Sequence, residues 1–257
     1  MSPDAQLTLG IDLGGSAIKA GAVDLAAGRI VGELESVPTP PGAHPDAVRT
    51  AIATTSRRFP QCAGPVGFAF PGVVQHGVAR TAANVDHAWL GVDGAALVSA
   101  ATGRRGAFVN DADAAGLAEM RVGAGRGERG SVMMLTFGTG IGSAAFIDGV
   151  LLPNLELGHM EIDGREAEQA ASARVRTVEG LDWPAWCARV NVVLARYHAL
   201  FWPDLFIIGG GVSERWPDYG SLLEAPARIV PAQLRHAAGV VGAALYAHES
   251  ARTPVAR

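Results

Sequence analysis

The stretch Asp12-Leu-Gly-Gly-Ser-Ala-Ile-Lys19 places a glycine turn between two apolar runs, residues 7–13 and 17–25. This pattern predicts a strand, a tight turn and a second strand. The stretch ends in the only lysine of the chain. Lysine and arginine together number 21, and the rest are arginine. A compact ammonium group beside a glycine turn is suited to phosphate oxygens. The sequence therefore predicts a phosphate-binding hairpin.

The same pattern recurs about half a chain length later, around Gly138-Thr-Gly140. Apolar runs flank this turn on both sides, and aligning Gly14 with Gly138 brings Asp12 onto Thr136. A duplicated α/β unit would explain the recurrence, and chance similarity between two glycine hairpins is the alternative. Backbone N–H groups of two such loops could face each other across a cleft and hold adjacent phosphates.

Helix-like and strand-like segments alternate along the rest of the chain. Further helices are predicted over 44–59, 92–102, 112–120, 183–199 and 237–247, and further strands over 65–70, 106–109 and 204–208. This alternation indicates an α/β arrangement. We predict an N-terminal domain over residues 1–108, completed by a C-terminal helix over 239–257, and a second domain over residues 109–238.

Composition and motifs limit the class of function. The 257 residues carry a net charge of -4, which gives no general attraction to nucleic acid or to anionic lipid. Cys62 and Cys187 lack metal-binding spacing, which fits a reducing compartment. Residues 1–6 form no basic leader, and no run of about 18 apolar residues follows. We therefore expect a cytoplasmic protein without nucleic-acid or membrane partners.

Two familiar nucleotide-binding motifs can be excluded. The segment 136–142 contains closely spaced glycines, but a strand-like run follows it where a dinucleotide-binding motif requires a helix. The P-loop pattern of glycines followed by lysine and serine or threonine is absent from the sequence. The paired glycine hairpins remain as the candidate phosphate site.

Two polar clusters could complete a site for phosphoryl transfer. Asn110-Asp111 follows a strand-like run and offers a carboxylate that could accept a hydroxyl proton, although a helix N-cap is the favoured interpretation on local grounds. Glu156-Leu-Gly-His159 and Glu168 could bind several sugar hydroxyls or could form a solvated loop. His159 has no partners at zinc-ligand spacing in the sequence.

Several motifs, in this order, resemble the ROK family of bacterial sugar kinases, and above all its members that phosphorylate glucose with polyphosphate. The motifs are Leu9-Gly-Ile-Asp12, Asn110-Asp-Ala-Asp113, Leu135-Thr-Phe-Gly-Thr-Gly140, Pro153-Asn-Leu-Glu-Leu-Gly-His159 and Pro203-Asp-Leu-Phe-Ile-Ile-Gly-Gly-Gly211. The resemblance covers nearly the whole chain. It implies a duplicated α/β fold of the actin/hexokinase-like (ribonuclease H-like) type, with two α/β domains around a cleft.

The resemblance also implies a reaction. Inorganic polyphosphate would phosphorylate the 6-hydroxyl of glucose to give glucose 6-phosphate, with Mg²⁺ as cofactor and a homodimer as the assembly. An ATP-dependent glucokinase or glucomannokinase of the same family is the alternative. A non-catalytic sugar-binding regulator and a polyphosphate phosphatase are further alternatives.

The resemblance assigns roles to individual residues. Asp111 matches the general base, which reverses the local preference for a cap, and Asp12 matches the residue that holds hydrated magnesium. The positions that match sugar-binding residues are Gly72, Asn84, Asn110, Asp111, Glu156, His159 and Glu168. The positions that match donor-binding residues are Asp12, Gly14, Gly15, Ser16, Lys19, Thr136, Gly138, Thr139, Gly140 and Gly210.

The chain departs from the family pattern after His159. Most members carry a cysteine-rich zinc motif there, whereas residues 160–172 contain no cysteine. We therefore expect no zinc site, a His159 that serves the sugar, and a loop held by packing or hydrogen bonds. Only a few residues precede the first phosphate strand, which argues against the DNA-binding repressors of the family.

Overall fold

The computed structural model describes residues 7–252, which form two compact α/β units. Residues 7–118 and 237–252 make up the first unit, and residues 119–236 make up the second. Residues 1–6, where the absence of a leader is predicted, and residues 253–257, at the end of the predicted C-terminal helix, lie outside the described range. The functional domain boundaries at residues 108 and 238 remain predictions.

A five-stranded sheet forms the centre of the first unit, in the order β3-β2-β1-β4-β7. The first three strands are antiparallel neighbours, while β4 and β7 continue the sheet in parallel. The elements are β1 (Leu7–Leu13), β2 (Ala17–Asp24), β3 (Arg29–Pro38), α1 (Pro45–Ser56), β4 (Val66–Phe70), β5 (Val74–Gln75), β6 (Val78–Ala79), α2 (Gly94–Thr102), β7 (Gly106–Asn110), α3 (Asp111–Val122), which continues into the second unit, and α8 (Ala238–Arg252).

The second unit repeats this topology in a sheet of order β10-β9-β8-β13-β14. Three antiparallel strands are again followed by two parallel ones. The elements are β8 (Ser131–Phe137), β9 (Ile141–Ile147), β10 (Val150–Leu152), β11 (Glu161–Ile162), β12 (Arg165–Glu166), α4 (Ala167–Ala171), α5 (Ala173–Val178), α6 (Trp183–Phe201), β13 (Leu205–Gly209), α7 (Trp216–Tyr219) and β14 (Arg228–Pro231). The duplication that the two glycine hairpins predicted is confirmed, because β1–β2 and β8–β9 hold equivalent places.

Glycines let the last helix, α8, lie directly on the first sheet. A Cβ atom on Gly10 of β1 would overlap the carbonyl oxygen of Val240, and one on Gly67 of β4 would overlap that of Ala243. Only glycine permits so close an approach of two backbones. This contact brings the start of α8 to the end of β1, where a Cβ on Gly239 would lie 2.6 Å from Oδ2 of Asp12.

A buried carboxylate connects two segments of the second unit that are far apart in sequence. Glu119 is fully buried on α3, and its two carboxylate oxygens accept hydrogen bonds from the backbone N–H groups of Ala124 and Leu234, both at 2.7 Å. Both oxygens are thus hydrogen-bonded, which offsets the cost of burying the carboxylate. The side chain fixes the segment just before α8 to the start of this unit.

Within residues 7–252, no helix combines the length and the apolar composition needed to cross a membrane.

Candidate active site

The first glycine loop, residues 14–16, is held by the chain that follows β3. The N–H of Gly14 donates to the carbonyl of Ala17 at 3.0 Å, which closes the turn. Thr39 donates from its hydroxyl to the carbonyl of Gly14 at 2.6 Å and from its N–H to that of Ser16 at 3.1 Å. Gly15 and Ser16 are exposed at the tip. The loop is thus braced from one side and open on the other, as a phosphate cradle requires.

Asp12 and Lys19 lie directly opposite each other on β1 and β2. Burial raises the pKa of the Asp12 carboxyl, and the nearby charge of Lys19 acts in the opposite direction. A carboxylate whose ionised form is disfavoured by burial gains from a bound cation, and carboxylate oxygen is a ligand that Mg²⁺ accepts. The donor type and surroundings of Asp12 therefore fit a magnesium ion.

Asn110 and Asp111 make different hydrogen bonds at the start of α3, and the sequence alone could not tell which of them caps the helix. Oδ1 of Asn110 accepts the N–H of Asp113 at 2.9 Å, so Asn110 is the side chain that caps α3. Its Nδ2 donates to the carbonyl of Gly72 at 3.1 Å. Asp111 is the first residue of the helix and accepts the N–H of Ala112 at 2.8 Å. The cap interpretation therefore holds for Asn110, and Asp111 follows it as the first helical residue.

Gly72 and Asn84 differ in how well they are placed. Gly72 is joined to Asn110 by the hydrogen bond above, and a Cβ on it would lie 2.9 Å from the carbonyl oxygen of Thr81, so only glycine fits. Asn84 is exposed on the bend that precedes the 3-10 turn at 87–89. Among the described residues, no hydrogen bond joins Asn84 to Gly72 or Asn110.

The second glycine loop lies between β8 and β9. The N–H of Gly138 donates to the carbonyl of Gly140, and the N–H of Arg174 donates to that of Gly138, both at 3.0 Å. Gly138 and Thr139 are exposed at the tip. Thr136 at the end of β8 pairs with Gly142 in β9. This loop repeats the design of the first, with its tip open and its base bonded.

The glycines at the end of β13 pack against the base of the second loop. Gly209 pairs with Thr136 in the parallel ladder. Gly210 has φ +80°, and a Cβ on it would overlap the backbone of Phe137. The sequence therefore needs glycine here for both its conformation and its close contact. The structure brings Gly210 next to the second loop.

A cluster of carboxylates surrounds His159 in the second unit. Nδ1 of His159 lies 3.5 Å from Oε1 of Glu166 and 3.9 Å from Oε1 of Glu168, and its Nε2 lies 4.0 Å from Oε2 of Glu156. The other oxygen of Glu168 accepts the N–H of Ile141 at 3.3 Å. The structure thus brings together the three predicted residues and adds a fourth.

Glu168 connects this cluster to the second glycine loop. A Cβ on Gly140 would overlap Oε2 of Glu168. The same side chain therefore touches both the glycine loop and the surroundings of His159. Within this unit, the predicted phosphate loop and the predicted sugar cluster are adjacent.

Buried polar groups hold the loop that carries Glu156 and His159. The hydroxyl of Ser143 donates to the carbonyl of Leu155 at 2.6 Å and accepts the N–H of Leu157 at 3.0 Å. The buried hydroxyl of Tyr197 donates to the carbonyl of Leu157. Burial, together with the charge of Glu168, raises the pKa of Tyr197, so it stays a donor. These hydrogen bonds hold the loop in place, although it contains no cysteine.

The environment of Glu156 disfavours its charge. Burial is the main cause of the raised pKa of its carboxyl, Glu168 raises the pKa further, and His159 lowers it. Pairs of carboxylates in one site shift each other in this way. The ionised form of Glu156 is therefore disfavoured in the folded chain.

The spacing of residues along the sequence did not predict that Glu166 lies beside His159. Ile162 pairs with Arg165, so Asp163 and Gly164 form a two-residue turn with φ values of +52° and +79°. Both positive values are typical of a type I′ hairpin turn, for which Asp-Gly is a strong sequence signal. That signal could have predicted the reversal that brings Glu166 back to His159.

The expectation about the partners of His159 needs correction. His159 has no partners at zinc-ligand spacing along the sequence, but ligand atoms of Glu166 and Glu168 lie within 4.8 Å of each other and of His159 in the folded chain. The hairpin turn explains the difference. The group contains one imidazole and two carboxylates but no thiolate, and the absence of a zinc site stays a prediction.

Comparisons with known proteins show the family to which the chain belongs. The sequence profile of the ROK family matches residues 8–179. A polyphosphate glucokinase of Mycobacterium tuberculosis is 47% identical over 237 residues, which cover 92% of this chain and 89% of that protein. The crystal structure of inorganic polyphosphate/ATP-glucomannokinase from Arthrobacter sp. strain KM matches with a TM-score of 0.91 and 48% identity, over 95% of this chain and 99% of that one.

A further solved structure is the ROK family glucokinase of Streptomyces griseus in complex with glucose and AMPPNP. It matches with a TM-score of 0.78 and 28% identity, over 95% of this chain and 99% of that one. The ROK sugar kinases share the actin/hexokinase-like fold, which agrees with the two repeated five-stranded sheets described above. On these grounds, the chain belongs to the ROK family.

Proposed function

We propose that this protein transfers the terminal phosphoryl group of inorganic polyphosphate to the 6-hydroxyl of glucose and releases glucose 6-phosphate. The observation that carries the proposal is the contact of Glu168 with both Gly140 and His159. It joins a loop suited to phosphate with a cluster suited to sugar hydroxyls. The identity of 47% with a protein named polyphosphate glucokinase supports the choice of donor and acceptor.

Glucose would be held by several polar side chains. The carboxylates of Glu156 and Glu168 would accept hydrogen bonds from its hydroxyls. The imidazole of His159 would form a further hydrogen bond with a hydroxyl. Asn110 would add a hydrogen bond near the reacting end, from a position fixed by its cap of α3. Such a set of oriented groups reduces the entropy cost of reaction.

Asp111 would act as general base. Its carboxylate would take the proton of the 6-hydroxyl as the oxygen attacks the terminal phosphorus, and the shortened polyphosphate chain would leave. Backbone N–H groups of the two glycine loops and the ammonium of Lys19 would bind the charged donor oxygens. Each loop is already hydrogen-bonded at its base.

Magnesium would be held at Asp12, whose environment fits a cation. When bound, the ion would neutralise charge on the phosphate oxygens. Asp12 and Lys19 would together place one negative and one positive group beside the donor. A homodimeric assembly, on the strength of the family resemblance, and a cytoplasmic location complete the proposal.

The second candidate is an ATP-dependent glucokinase or glucomannokinase. It is favoured by the position of Gly210 beside the second glycine loop, where a nucleotide could approach the backbone. The Arthrobacter relative is named for both polyphosphate and ATP, and the S. griseus relative was solved with AMPPNP. Both functions use the same acceptor and the same base.

A comparison of donors tests the proposal. Purified protein with Mg²⁺ and glucose would receive polyphosphate or ATP at matched concentrations of transferable phosphate, and glucose 6-phosphate would be measured. Faster formation with polyphosphate is the expected result. Turnover with ATP alone would replace the first proposal by the second, and turnover with neither donor would contradict both. Release of phosphate without glucose would favour a phosphatase.

Replacing Glu156 with glutamine is expected to stabilise the fold while weakening glucose binding. The raised pKa means that ionised Glu156 opposes folding at neutral pH, and this penalty disappears as the pH falls below the pKa and the carboxyl becomes protonated. The gain should not exceed about 1 kcal/mol, because the side chain is 39% exposed and solvent screens its charge.

Thermal unfolding of Glu156→Gln at pH 7 and at pH 4 measures this effect. The variant should be more stable than the wild type at pH 7 and equal to it at pH 4, while calorimetry shows weaker glucose binding. Glu161→Gln, an exposed position in the same unit, is the control and should change neither quantity. A less stable Glu156→Gln at pH 7 would mean that the carboxylate has a structural role.

A further inference from the structure

Glu166 is a carboxylate beside the predicted sugar cluster to which the proposed mechanism gives no role. It ends the β11–β12 hairpin and immediately precedes α4, which carries Glu168. Its Oε1 lies 3.5 Å from Nδ1 of His159. Its Oε2 accepts a hydrogen bond from Nε2 of Gln169 at 2.8 Å. The amide of Gln169 therefore fixes one carboxylate oxygen, and the other is directed at the imidazole.

The two neighbouring carboxylates are placed less favourably for a contact with Nδ1. Glu168 is further from Nδ1, at 3.9 Å, and its second oxygen accepts the N–H of Ile141. Glu156 lies on the opposite side of the ring, 4.0 Å from Nε2. Glu166 is thus the nearest acceptor on the Nδ1 side.

A carboxylate on one ring nitrogen decides what the other nitrogen can do. A neutral imidazole carries its proton on the nitrogen that has the better acceptor, and its second nitrogen becomes an acceptor itself. With Glu166 at Nδ1, the proton belongs on Nδ1. Nε2 of His159 is then free to accept a hydrogen bond from a hydroxyl group. The side chain of His159 is 48% exposed, so a ligand can reach it.

We propose that Glu166 is a positioning residue, which holds the proton of His159 on Nδ1 and so presents Nε2 as an acceptor for a sugar hydroxyl. Gln169 supports it by fixing its carboxylate. In a loop that lacks cysteine, this chain of side chains orients the imidazole. The identity of the ligand rests on the proposed function, whereas the state of the ring can be measured without it.

Nuclear magnetic resonance of the 257-residue chain tests the state of the ring. The ¹⁵N-labelled protein would be treated with a chelator, so that no bound metal affects the result, and studied at a pH where the imidazole is neutral. Correlation of ring nitrogens with ring protons distinguishes the two tautomers, and His159→Gln assigns the signal among the seven histidines of the chain. The wild type should carry the proton on Nδ1.

Three variants separate the contributions. Glu166→Ala should shift His159 substantially toward the Nε2–H tautomer, and Gln169→Leu should shift it partly. Glu161→Ala removes the same charge from the cross-strand partner in the same hairpin and should leave the tautomer unchanged. A wild-type tautomer in Glu166→Ala, or an equal shift in Glu161→Ala, would overturn the proposal.

Glucose binding provides the second measurement. Glu166→Ala should raise the KM for glucose about five- to tenfold, with kcat within about twofold of the wild type, because an oriented hydrogen bond is lost from ground state and transition state alike. Glu166→Gln keeps an oxygen acceptor and should restore most of the affinity. Equal losses in the Ala and Gln variants would indicate an effect of charge alone and overturn the positioning role.

The two measurements also separate this proposal from the proposed function. A wild-type protein that does not bind glucose would contradict the proposed function, while the tautomer of His159 would still decide whether Glu166 orients the ring.

Discussion

Asp111→Asn is expected to reduce kcat by about 10²- to 10⁴-fold while glucose still binds. Asparagine cannot accept the proton of the 6-hydroxyl, so the loss should appear in turnover. The substitution should leave α3 intact for two reasons. Asn110 caps the helix through the N–H of Asp113, and an asparagine oxygen at position 111 can still accept the N–H of Ala112.

Formation of glucose 6-phosphate and calorimetric binding of glucose would be measured on the same preparation. Asp46→Asn is the matched control, because Asp46 also lies in the first turn of a helix of the first unit and is exposed. That variant should keep full activity. An Asp111→Asn protein that turns over at the wild-type rate would remove Asp111 from the role of base.

The hairpins that the sequence predicted are governed by local patterns. The apolar runs around Gly14 and Gly138 carry both the strand alternation and the turn residues within about 15 positions, so β1, β2, β8 and β9 could be predicted. Helices α1, α2 and α6 follow from the same kind of local signal. The similarity of the two hairpins also predicted that they occupy equivalent places in two repeated sheets.

Strand β3 could not be predicted as readily. Its ten residues, Arg29–Pro38, contain three charged side chains and a glycine, and they lie at the sheet edge, where one side of the backbone has no partner strand. Edge strands tolerate polar residues, so their sequences lack the apolar signal. Pairing with β2 decides its structure, and that information is not local.

The candidate site shows the same difference between local signals and contacts with distant parts of the chain. Neighbouring residues such as Asn110 and Asp111 could be nominated from the sequence, but which of them caps α3 depends on a hydrogen bond to Asp113. Glu166 reaches His159 only because the chain reverses between them. Glu119 looks like an ordinary helical surface residue until its burial against Leu234 is known. Contacts across the chain decide each of these roles.

The packing of α8 on the first sheet leads to the largest expected effect on stability. Gly67→Ala would place a Cβ against the carbonyl oxygen of Ala243, which belongs to a helix backbone and cannot rotate away as a side chain would. Overpacking typically costs about 1–3 kcal/mol and more where the backbone must move, so we expect a loss of about 3 kcal/mol or more in the first unit. Gly21→Ala is the control.

Gly21 lies in the same sheet, but a Cβ there would meet side chains no closer than 3.4 Å, which is an ordinary contact. Hydrogen exchange read by mass spectrometry locates the effect, because peptides from β4 and α8 should lose protection in Gly67→Ala while those from β8 and β13 keep it. Activity should fall with that protection, since Gly239 at the start of α8 lies against the carboxylate of Asp12. If β4 and α8 keep wild-type protection in Gly67→Ala, the helix can move aside at little cost and the glycine contact does not determine where Asp12 lies.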